Sequence, residues 1–275
     1  MVAPGGTDVL AGLAAGARAQ AGAENFPVAL KVLPRRPRER LLALYDFARF
    51  VDDVGDADYE VDGRPATADD RRALLDRVDA DLDADHPRLP PVAALAPLRA
   101  EGVPDRPFHD LVEANRVDQV VTGYATFADL VGYCRLSADP VGRVVLHVAG
   151  AATPERVAWS DDVCTALQVL EHCQDVAEDE ARGRVYLPAA DLARGDRSGA
   201  VAVNVARAEA LLTSGPPLVR SLHGWARLAV AGFVAGGLAT ADALRAAGWR
   251  TEGPTVTPTT AGTARHAVRL LAGRA

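Results

Sequence analysis

The sequence predicts an all-α fold with a single helical domain, and three observations support that prediction. Apolar residues recur at helical spacing along almost the whole chain, with prolines and glycines between the periodic stretches. No stretch of useful length alternates polar and apolar residues as a half-buried strand would, and the run GRVYLP at 183–188 is too short to count. The chain has 275 residues, 49% of them hydrophobic, which is enough to bury a substantial core.

An N-terminal segment, residues 1–23, precedes the predicted domain and is rich in glycine and alanine. Its short apolar run has no positive charge before it and carries Asp8 instead, which disfavours a secretory signal. We predict that residues 1–23 are poorly ordered or only loosely helical. The domain is predicted to span residues 24–275.

The helices follow from apolar spacing and from capping residues. The clearest start is at Thr67, where a threonine cap and an acidic first turn precede Leu74, Leu75 and Val78. The apolar stretch RLAVAGFVAGGLATADALRAA (227–247) is flanked by charges and rich in small residues, so we interpret it as a close-packed core helix. Helices are predicted over residues 38–57, 67–84, 90–99, 105–123, 127–136, 138–151, 155–181, 201–214, 216–238 and 239–247, and loops over 183–200 and 249–262.

Charge and cysteine content exclude several classes of protein. A net charge of −7 and a pI of about 5.4 oppose a general nucleic-acid binder, so no nucleic-acid partner is expected. The arginine-rich run LPRRPRER (33–40) is interpreted as a solvated helix start. Cys134, Cys164 and Cys173 form no CxxC pair and fit buried thiols in a reducing compartment. We therefore expect a cytoplasmic protein.

A first acidic motif lies in the stretch LYDFARFVDDVGDADYE, residues 44–60. On a helical wheel, Tyr45, Arg49, Asp52 and Asp56 fall within roughly 60° of one another. Asp52 and Asp56 therefore point the same way, one turn apart, and Asp53 is offset from them. Two such carboxylates suit a hard cation such as Mg²⁺, which takes one or two carboxylates together with water and phosphate oxygens. An ordinary exposed acidic helix face is the alternative.

A second acidic motif repeats this spacing at Asp175 and Asp179, with Gln168 on the same face. Apolar residues cover the other sides of this helix, so it should be largely buried and its carboxylates need compensation. If the two acidic helices face each other, four carboxylates line a cleft that suits Mg²⁺ ions neutralising a diphosphate. Two unrelated acidic helix faces are the alternative.

These segments resemble the squalene/phytoene synthase family, the head-to-head prenyl-diphosphate synthases. The residues that carry the resemblance are ENFPVALKVLPRRPRERLLALYDFARFVDDVGD (24–56) and QDVAEDEARGRVYLP (174–188), within a similarity over about residues 24–250. Two aspartate-rich motifs in this order, followed by GRVYLP, are more specific than either alone. Three features resemble the hydroxysqualene synthase branch of hopanoid synthesis: ENFPVA (24–29), YCRLSADPVGRVVLH (133–147), and Gln174 rather than arginine before the second motif.

The resemblance implies an isoprenoid synthase fold, a single helical bundle around a central cavity. Asp52 and Asp56 match the family's first metal-binding motif, and Asp175 and Asp179 match the second, together binding Mg²⁺ and diphosphate. Residues that match the diphosphate-binding positions are Tyr45, Arg49, Arg184, Tyr186 and the N-terminal pair Asn25 and Phe26; residues expected to border the cavity are Gln168, Glu171, Tyr133 and Arg135.

Two positions depart from the family pattern. Glu171 stands where relatives commonly carry asparagine, and it adds a negative charge that could be an extra metal ligand or could lower the affinity for diphosphate. Gln174 removes a positive charge that condensing relatives use. The second change fits a branch that does not join two separate diphosphates.

The implied reaction converts presqualene diphosphate and water to hydroxysqualene and diphosphate, by an enzyme of the carbon–oxygen lyase or prenyltransferase type. The partners expected are this substrate, Mg²⁺ and a neighbouring enzyme that makes presqualene diphosphate. The apolar substrate and product lead us to expect transient contact with the inner face of the membrane. Tyr133 and His147 are candidates for holding the water.

Two other functions stay open at this point. One is a squalene- or phytoene-type synthase that condenses two prenyl diphosphates. The other is a non-catalytic helical protein that keeps the fold and binds lipid. The four intact motif aspartates, Asp52, Asp56, Asp175 and Asp179, argue against the second function.

Overall fold

A computed structural model describes residues 5–20, 33–252 and 255–273. The described chain is helical almost throughout, so the all-α prediction is confirmed. The chain forms two compact units, Met1–Val120 with His147–Gly150, and Val121–Leu146 with Ala151–Ala275. The single domain over residues 24–275 stays a prediction.

The first unit is built on a long helix that carries the first acidic motif. This helix, α2 (Arg35–Asp56), packs against α1 (Gly5–Gln20), α3 (Ala68–Leu82) and α6 (Arg106–Asp118). Its core contains Phe47, which meets Phe108 edge-on with ring centroids 5.6 Å apart. The helices of this unit are α1 (Gly5–Gln20), α2 (Arg35–Asp56), α3 (Ala68–Leu82), α4 (Pro90–Ala93), α5 (Ala96–Ala100) and α6 (Arg106–Asp118).

Two features of this unit bear on the sequence analysis. The N-terminal segment is predicted to be poorly ordered or only loosely helical, and its described part forms α1, with Leu10 and Ala14 buried on one side of it. A short hairpin with two residues in each strand, β1 (Glu60–Val61) and β2 (Arg64–Pro65), was also not predicted. Its turn is Asp62-Gly63 with both φ values positive, the preferred sequence for a tight hairpin.

The second unit is organised around the helix that leads into the second acidic motif. This helix, α9 (Pro154–Gln174), packs against α7 (Phe127–Ser137), α12 (Arg197–Leu212), α13 (Gly215–Ser221) and α14 (Gly224–Ala246). Helix α8 belongs to this unit as far as Leu146. The helices are α7 (Phe127–Ser137), α8 (Asp139–Val148), α9 (Pro154–Gln174), α10 (Val176–Ala181), α11 (Ala189–Leu192), α12 (Arg197–Leu212), α13 (Gly215–Ser221), α14 (Gly224–Ala246) and α15 (Thr260–Leu271).

Glycines bring the helices of the second unit unusually close together. A Cβ placed at Gly237 on α14 would lie 2.6 Å from Leu167 on α9, and one at Gly142 on α8 would lie 2.5 Å from the Cys164 sulfur. Helix α14 is long and apolar enough to cross a bilayer by length and composition alone. Half of its most apolar window is buried against neighbouring helices, as expected for the predicted core helix.

Several predicted helix boundaries move. The helix predicted over 155–181 divides at Asp175. The division predicted at residues 238–239 lies instead before Gly224, whose φ of 55° lets the chain turn there. Helix α15 begins inside the predicted loop 249–262, since Thr259 caps it by accepting a hydrogen bond from the Gly262 N–H at 3.1 Å.

Candidate active site

The first acidic motif lies in the last two turns of α2, in the first unit. Asp52 and Asp56 lie four residues apart on an unbroken helix, as predicted, and both side chains are exposed. Asp53, offset from them around the helix, is buried, and its Oδ1 lies 3.1 Å from Nε of Arg49. Arg49 therefore contacts the carboxylate between the two that were predicted to bind a metal.

A residue that the sequence analysis missed holds Asp52. The amide nitrogen of Asn115, on α6, donates to Oδ1 of Asp52 at 3.0 Å and more weakly to the Leu111 carbonyl at 3.3 Å. Gly55 permits this contact, because a Cβ there would lie 3.1 Å from Cγ of Asn115 and closer still to its Oδ1. Asn115 is itself buried. Asn115 follows Leu111 by one helical turn, so the sequence shows a polar residue on an apolar helix face. The sequence does not show its partner Asp52, because the two residues are 63 positions apart.

The end of the motif helix is capped by an arginine. Arg71, on α3, donates to the Gly55 carbonyl at 2.9 Å and to the Ala57 carbonyl at 2.9 Å. Its guanidinium also lies 4.8 Å from the centre of the Tyr59 ring. A cation at this position satisfies the last carbonyls of the helix and opposes the negative end of its dipole. It also fixes the backbone next to Asp56.

Electrostatics at the first motif favour a cation. Desolvation by the surrounding protein raises the pKa of the Asp52 carboxyl to about 7, although part of the residue stays open to solvent. The hydrogen bond from Asn115 lowers that pKa, and the charge of Asp56 raises it. A poorly hydrated carboxylate beside another one is stabilised by any cation that reaches both.

The second acidic motif lies where α9 gives way to α10, in the second unit. Asp175 joins the two helices with φ −100° and ψ 15°. The Asp179 N–H still donates to the Asp175 carbonyl at 2.8 Å, so the two residues keep the spacing of one helical turn. Both side chains are half-buried. The predicted pairing of the two aspartates along one helical face therefore survives the break.

Desolvation raises the pKa values of two carboxyls in the second motif. For Asp175, repulsion by Asp179 and Glu178 adds to desolvation. For Glu171, which is exposed one turn before Asp175, desolvation comes first and the charges of Asp175 and Asp179 add to it. The second motif is thus crowded with negative charge, and a cation would relieve it.

A buried histidine that the sequence analysis missed connects several predicted residues. His172 is 7% exposed, and its ring stacks on Tyr186 with centroids 3.7 Å apart and planes 11° from parallel. Its Nε2 lies 3.3 Å from Nε2 of Gln168, and its Nδ1 lies 3.6 Å from Oδ2 of Asp179. Residues 168, 172, 175 and 179 share a helical stripe, which could have revealed His172 in the sequence.

Tyrosines extend this cluster. Tyr133 lies with its ring centroid 5.6 Å from that of Tyr186, and Tyr124 stacks on Tyr186 at 5.9 Å. Tyr186 belongs to the GRVYLP run, which pairs with the chain before α7 through a parallel bridge between Gly123 and Val185. The structure therefore brings Gln168, Tyr133 and Tyr186 to the second motif.

The remaining predicted residues have varied surroundings. Arg184 is half-buried, and its N–H donates to the Asp179 carbonyl at 2.9 Å. Arg135 is exposed two residues beyond Tyr133 and so lies on another side of α7. Tyr45 is half-buried on α2. Asn25 and Phe26 lie outside the described residues.

The side chain of Gln174 makes a hydrogen bond that the sequence analysis did not predict. Its amide nitrogen donates to the carbonyl of Val256, in the chain leading to α15. Gln174 thus links the end of α9 to the C-terminal part of the second unit. Its amide is engaged by backbone rather than turned to a ligand.

The donor sets fit a hard divalent cation. Within the described part of the chain, no group of three or more His, Cys, Asp or Glu side chains is arranged as a complete metal site. Each motif instead offers two carboxylates, and the Asp179 carboxylate remains partly accessible on the side away from its buried Oδ2. Mg²⁺ takes one or two carboxylates and completes its shell with water and phosphate oxygens. The residues present therefore fit Mg²⁺ with a phosphate ligand.

Most of the chain matches the model of a known protein family. The family model described as squalene/phytoene synthase matches residues 19–261. The chain belongs to the squalene/phytoene synthase family, whose members are enzymes that process prenyl diphosphates. The prediction of the family is confirmed.

Individual relatives carry two different names. Hydroxysqualene synthase of Rhodopseudomonas palustris is 37% identical over 206 residues, which cover 74% of this chain and 65% of that protein. Phytoene synthase of Mycobacterium bovis is 33% identical over 172 residues, or 62% of this chain and 55% of that protein. The chain thus covers less than two thirds of the length of these curated relatives.

Solved structures confirm the isoprenoid synthase fold. Squalene synthase HpnC from Alicyclobacillus acidocaldarius superposes with a TM-score of 0.76 at 36% identity, covering 88% of this chain and 96% of that one. A dehydrosqualene synthase superposes with a TM-score of 0.76 at 19% identity over 97% of this chain and 98% of that one, a likeness of fold alone.

Proposed function

We propose that this protein converts presqualene diphosphate and water to hydroxysqualene and diphosphate, as a Mg²⁺-dependent enzyme of squalene and hopanoid synthesis. The observation that carries the proposal is the pair of acidic motifs, each with two carboxylates one helical turn apart, of which one in each motif, Asp52 or Asp175, has its pKa raised by desolvation. The relatives named hydroxysqualene synthase, at 36–37% identity, support the choice of reaction.

In the proposed reaction, the carbon–oxygen bond of presqualene diphosphate breaks and diphosphate leaves with the electron pair. The cyclopropylcarbinyl cation rearranges, a water oxygen bonds to carbon, and that water loses a proton. Bound Mg²⁺ would supply charge neutralisation for the leaving diphosphate. Asp52 and Asp56 in the first unit, and Asp175 and Asp179 in the second, would hold Mg²⁺ ions.

Other residues of the chain would bind and orient the diphosphate end. Arg184 and Tyr186 lie on the segment that follows the second motif, and Tyr45 and Arg49 lie on the motif helix of the first unit. Asn25 and Phe26, by their match to the family, would close over the substrate. Gln168, Glu171, Tyr133 and Arg135 are proposed to border the cavity.

Product analysis tests this function. The pure protein is incubated with presqualene diphosphate and Mg²⁺ in H₂¹⁸O, and products are identified by mass spectrometry. The expected product is hydroxysqualene carrying one ¹⁸O atom, because water supplies the hydroxyl. Formation of squalene alone, or no release of diphosphate, would contradict the proposal. The second result would favour a non-catalytic lipid-binding protein.

A condensing synthase is the second candidate, since relatives named phytoene synthase are 33% identical. Gln174 speaks against it, because its amide is engaged by the Val256 carbonyl and it offers no positive charge to a second diphosphate. Farnesyl or geranylgeranyl diphosphate supplied alone distinguishes the two reactions. A C30 or C40 product formed without presqualene diphosphate would support condensation.

We further propose that the protein is cytoplasmic and touches the inner face of the membrane to exchange its apolar substrate and product. Leu228 on α14 and Val268 on α15 support this, with 61% and 66% of their surfaces exposed. An enzyme that makes presqualene diphosphate would be its functional neighbour. Sedimentation with anionic vesicles, compared between the wild type and L228S/V268S, tests the contact, and equal sedimentation would contradict it.

A further inference from the structure

The buried histidine of the second unit is held from two sides. Tyr186 stacks on the ring of His172 and restricts its tilt, with the planes 11° from parallel. Gln168 lies one turn earlier on α9, and its Nε2 is 3.3 Å from Nε2 of His172. Because an amide N–H₂ can only donate, Nε2 of His172 accepts in this arrangement, which places the ring proton on Nδ1.

The proton on Nδ1 then faces the second motif. Nδ1 lies 3.6 Å from Oδ2 of Asp179, slightly longer than a hydrogen bond. That oxygen is buried and has no hydrogen-bond partner, although 17% of the Asp179 side chain is exposed. The exposed part of the carboxylate is therefore not Oδ2. One oxygen faces His172, and the other side of the group remains accessible.

We propose that His172 is a positioning residue for the second acidic motif: the ring, held by Tyr186 and Gln168, directs its Nδ1–H at Oδ2 of Asp179 and leaves Oδ1 for the cation. This inference rests on the proposed function and deepens it, because it assigns the orientation of one metal-binding carboxylate to a residue outside both motifs. Groups that orient metal ligands commonly change metal affinity by about 10–100-fold when removed.

Mn²⁺ alone is used as the probe, and its binding is measured from the electron paramagnetic resonance signal of the free ion. Variants of His172 distinguish the effect of its Nδ1–H donor from the effect of its ring stacking on Tyr186. His172→Phe keeps an aromatic ring against Tyr186 but has no N–H to offer. His172→Asn loses the stack but retains an N–H donor close to the position of Nδ1. We expect His172→Phe to weaken Mn²⁺ binding about tenfold. His172→Asn should stay within about threefold of the wild type.

A double-mutant cycle locates the effect. Asp179→Asn removes the carboxylate that His172 is proposed to orient, so adding His172→Phe to it should weaken Mn²⁺ binding no further. Gln168→Leu releases Nε2 and should weaken binding by a smaller factor without touching the ring. It serves as the second variant if His172→Phe fails to fold, which thermal unfolding would show.

His266 offers a matched control in the same unit. Its Nε2 lies 2.8 Å from Oδ2 of Asp242, a histidine–aspartate contact between α15 and α14. His266→Phe should leave Mn²⁺ binding unchanged.

Wild-type affinity in folded His172→Phe, or an equal loss from His172→Phe in the Asp179→Asn background, would overturn the inference. So would absence of Mn²⁺ binding by the wild type. Failure of the wild type to release diphosphate, with the cycle behaving as expected, would refute the proposed reaction and leave the inference standing.

Discussion

The two acidic motifs each have two aspartates one helical turn apart, but the surroundings of the two pairs differ. In the first unit, Asp52 and Asp56 lie on an unbroken helix, and an uncharged amide from Asn115 holds one of them. In the second unit, Asp175 and Asp179 lie at a helix break, beside a buried histidine. The first motif is therefore organised by a packed neighbouring helix, and the second by side chains along its own stripe and the strand-like segment that follows.

The charges before the motifs also differ in sign. Arg49 precedes Asp52 by three residues and contacts buried Asp53. Glu171 precedes Asp175 by four residues and adds to the negative charge there. The motifs share the spacing of their aspartates but differ in the charge of the residue that precedes them, so they are not electrostatically equivalent. We expect the first motif to tolerate the absence of a cation better than the second.

The largest expected effect comes from neutralising either motif. Asp52→Asn and Asp175→Asn should each lower the rate of diphosphate release by about 100-fold or more, because metal stabilisation of a leaving group supplies several kcal/mol. Release is measured as inorganic diphosphate from presqualene diphosphate. Asp85→Asn, at an exposed residue outside both motifs, is the control. A rate close to that of the wild type in either motif variant would show that only one motif is needed.

Close packing behind the first motif can be broken directly. Gly55→Ala places a Cβ against Asn115, so the free energy of unfolding should fall by about 1–3 kcal/mol. Urea denaturation provides the measurement. In an Asn115→Ala background the same change should be neutral or slightly stabilising, because the obstruction is gone. An equal loss in both backgrounds would mean that Gly55 acts through something other than Asn115.

A buried carboxyl outside both motifs shows what burial without solvent contact does. Desolvation raises the pKa of Asp139 to about 7, with repulsion by Asp161 adding to it, although Thr165 donates to its Oδ1 at 3.0 Å. Since this pKa is raised on folding, the contribution of Asp139 to stability should be greatest at low pH. It should fall as the pH rises from about 4 to about 7.

Asp139→Asn should remove that slope. At pH 8 we expect the variant to be more stable than the wild type by about 1–4 kcal/mol, and at pH 4 the two should differ little. Thermal and urea unfolding over this pH range test the expectation. Parallel pH profiles for the two proteins would refute it, and Asp85→Asn should not change the wild-type profile.

Removing the Asn115 amide that donates to Asp52 should weaken cation binding at the first motif and leave the second motif unaffected. Asn115→Leu abolishes a hydrogen bond to a charged group, so Mn²⁺ affinity should fall about tenfold. Gln119→Leu is the matched control at the C-terminal cap of the same helix, because the Gln119 amide donates to the backbone carbonyls of Gly55 and Asn115. It should lower stability and leave Mn²⁺ affinity intact. Equal affinity losses would remove the special role of Asn115.

The smallest expected effect concerns the sign of the charge before the second motif. Glu171→Gln should tighten inhibition by inorganic diphosphate about two- to fivefold, because it removes an exposed negative charge near Asp175. The gain should shrink at high salt, as screening predicts. Glu155→Gln, in the first turn of α9, is the control. A loss of Mn²⁺ affinity in Glu171→Gln would instead identify Glu171 as a metal ligand.

The sequence by itself determined the helical class, the family and the spacing of both aspartate pairs, because apolar periodicity and motif order are properties of local sequence. It could not reveal that Asn115 holds Asp52, since that contact joins residues 63 positions apart across a glycine. Only the tertiary structure placed His172 between Gln168, Tyr186 and Asp179, because the stack with Tyr186 depends on how the GRVYLP run folds back beside α9. Spacing along one helix is set by backbone geometry, whereas the partners of a side chain are set by the packing of distant segments.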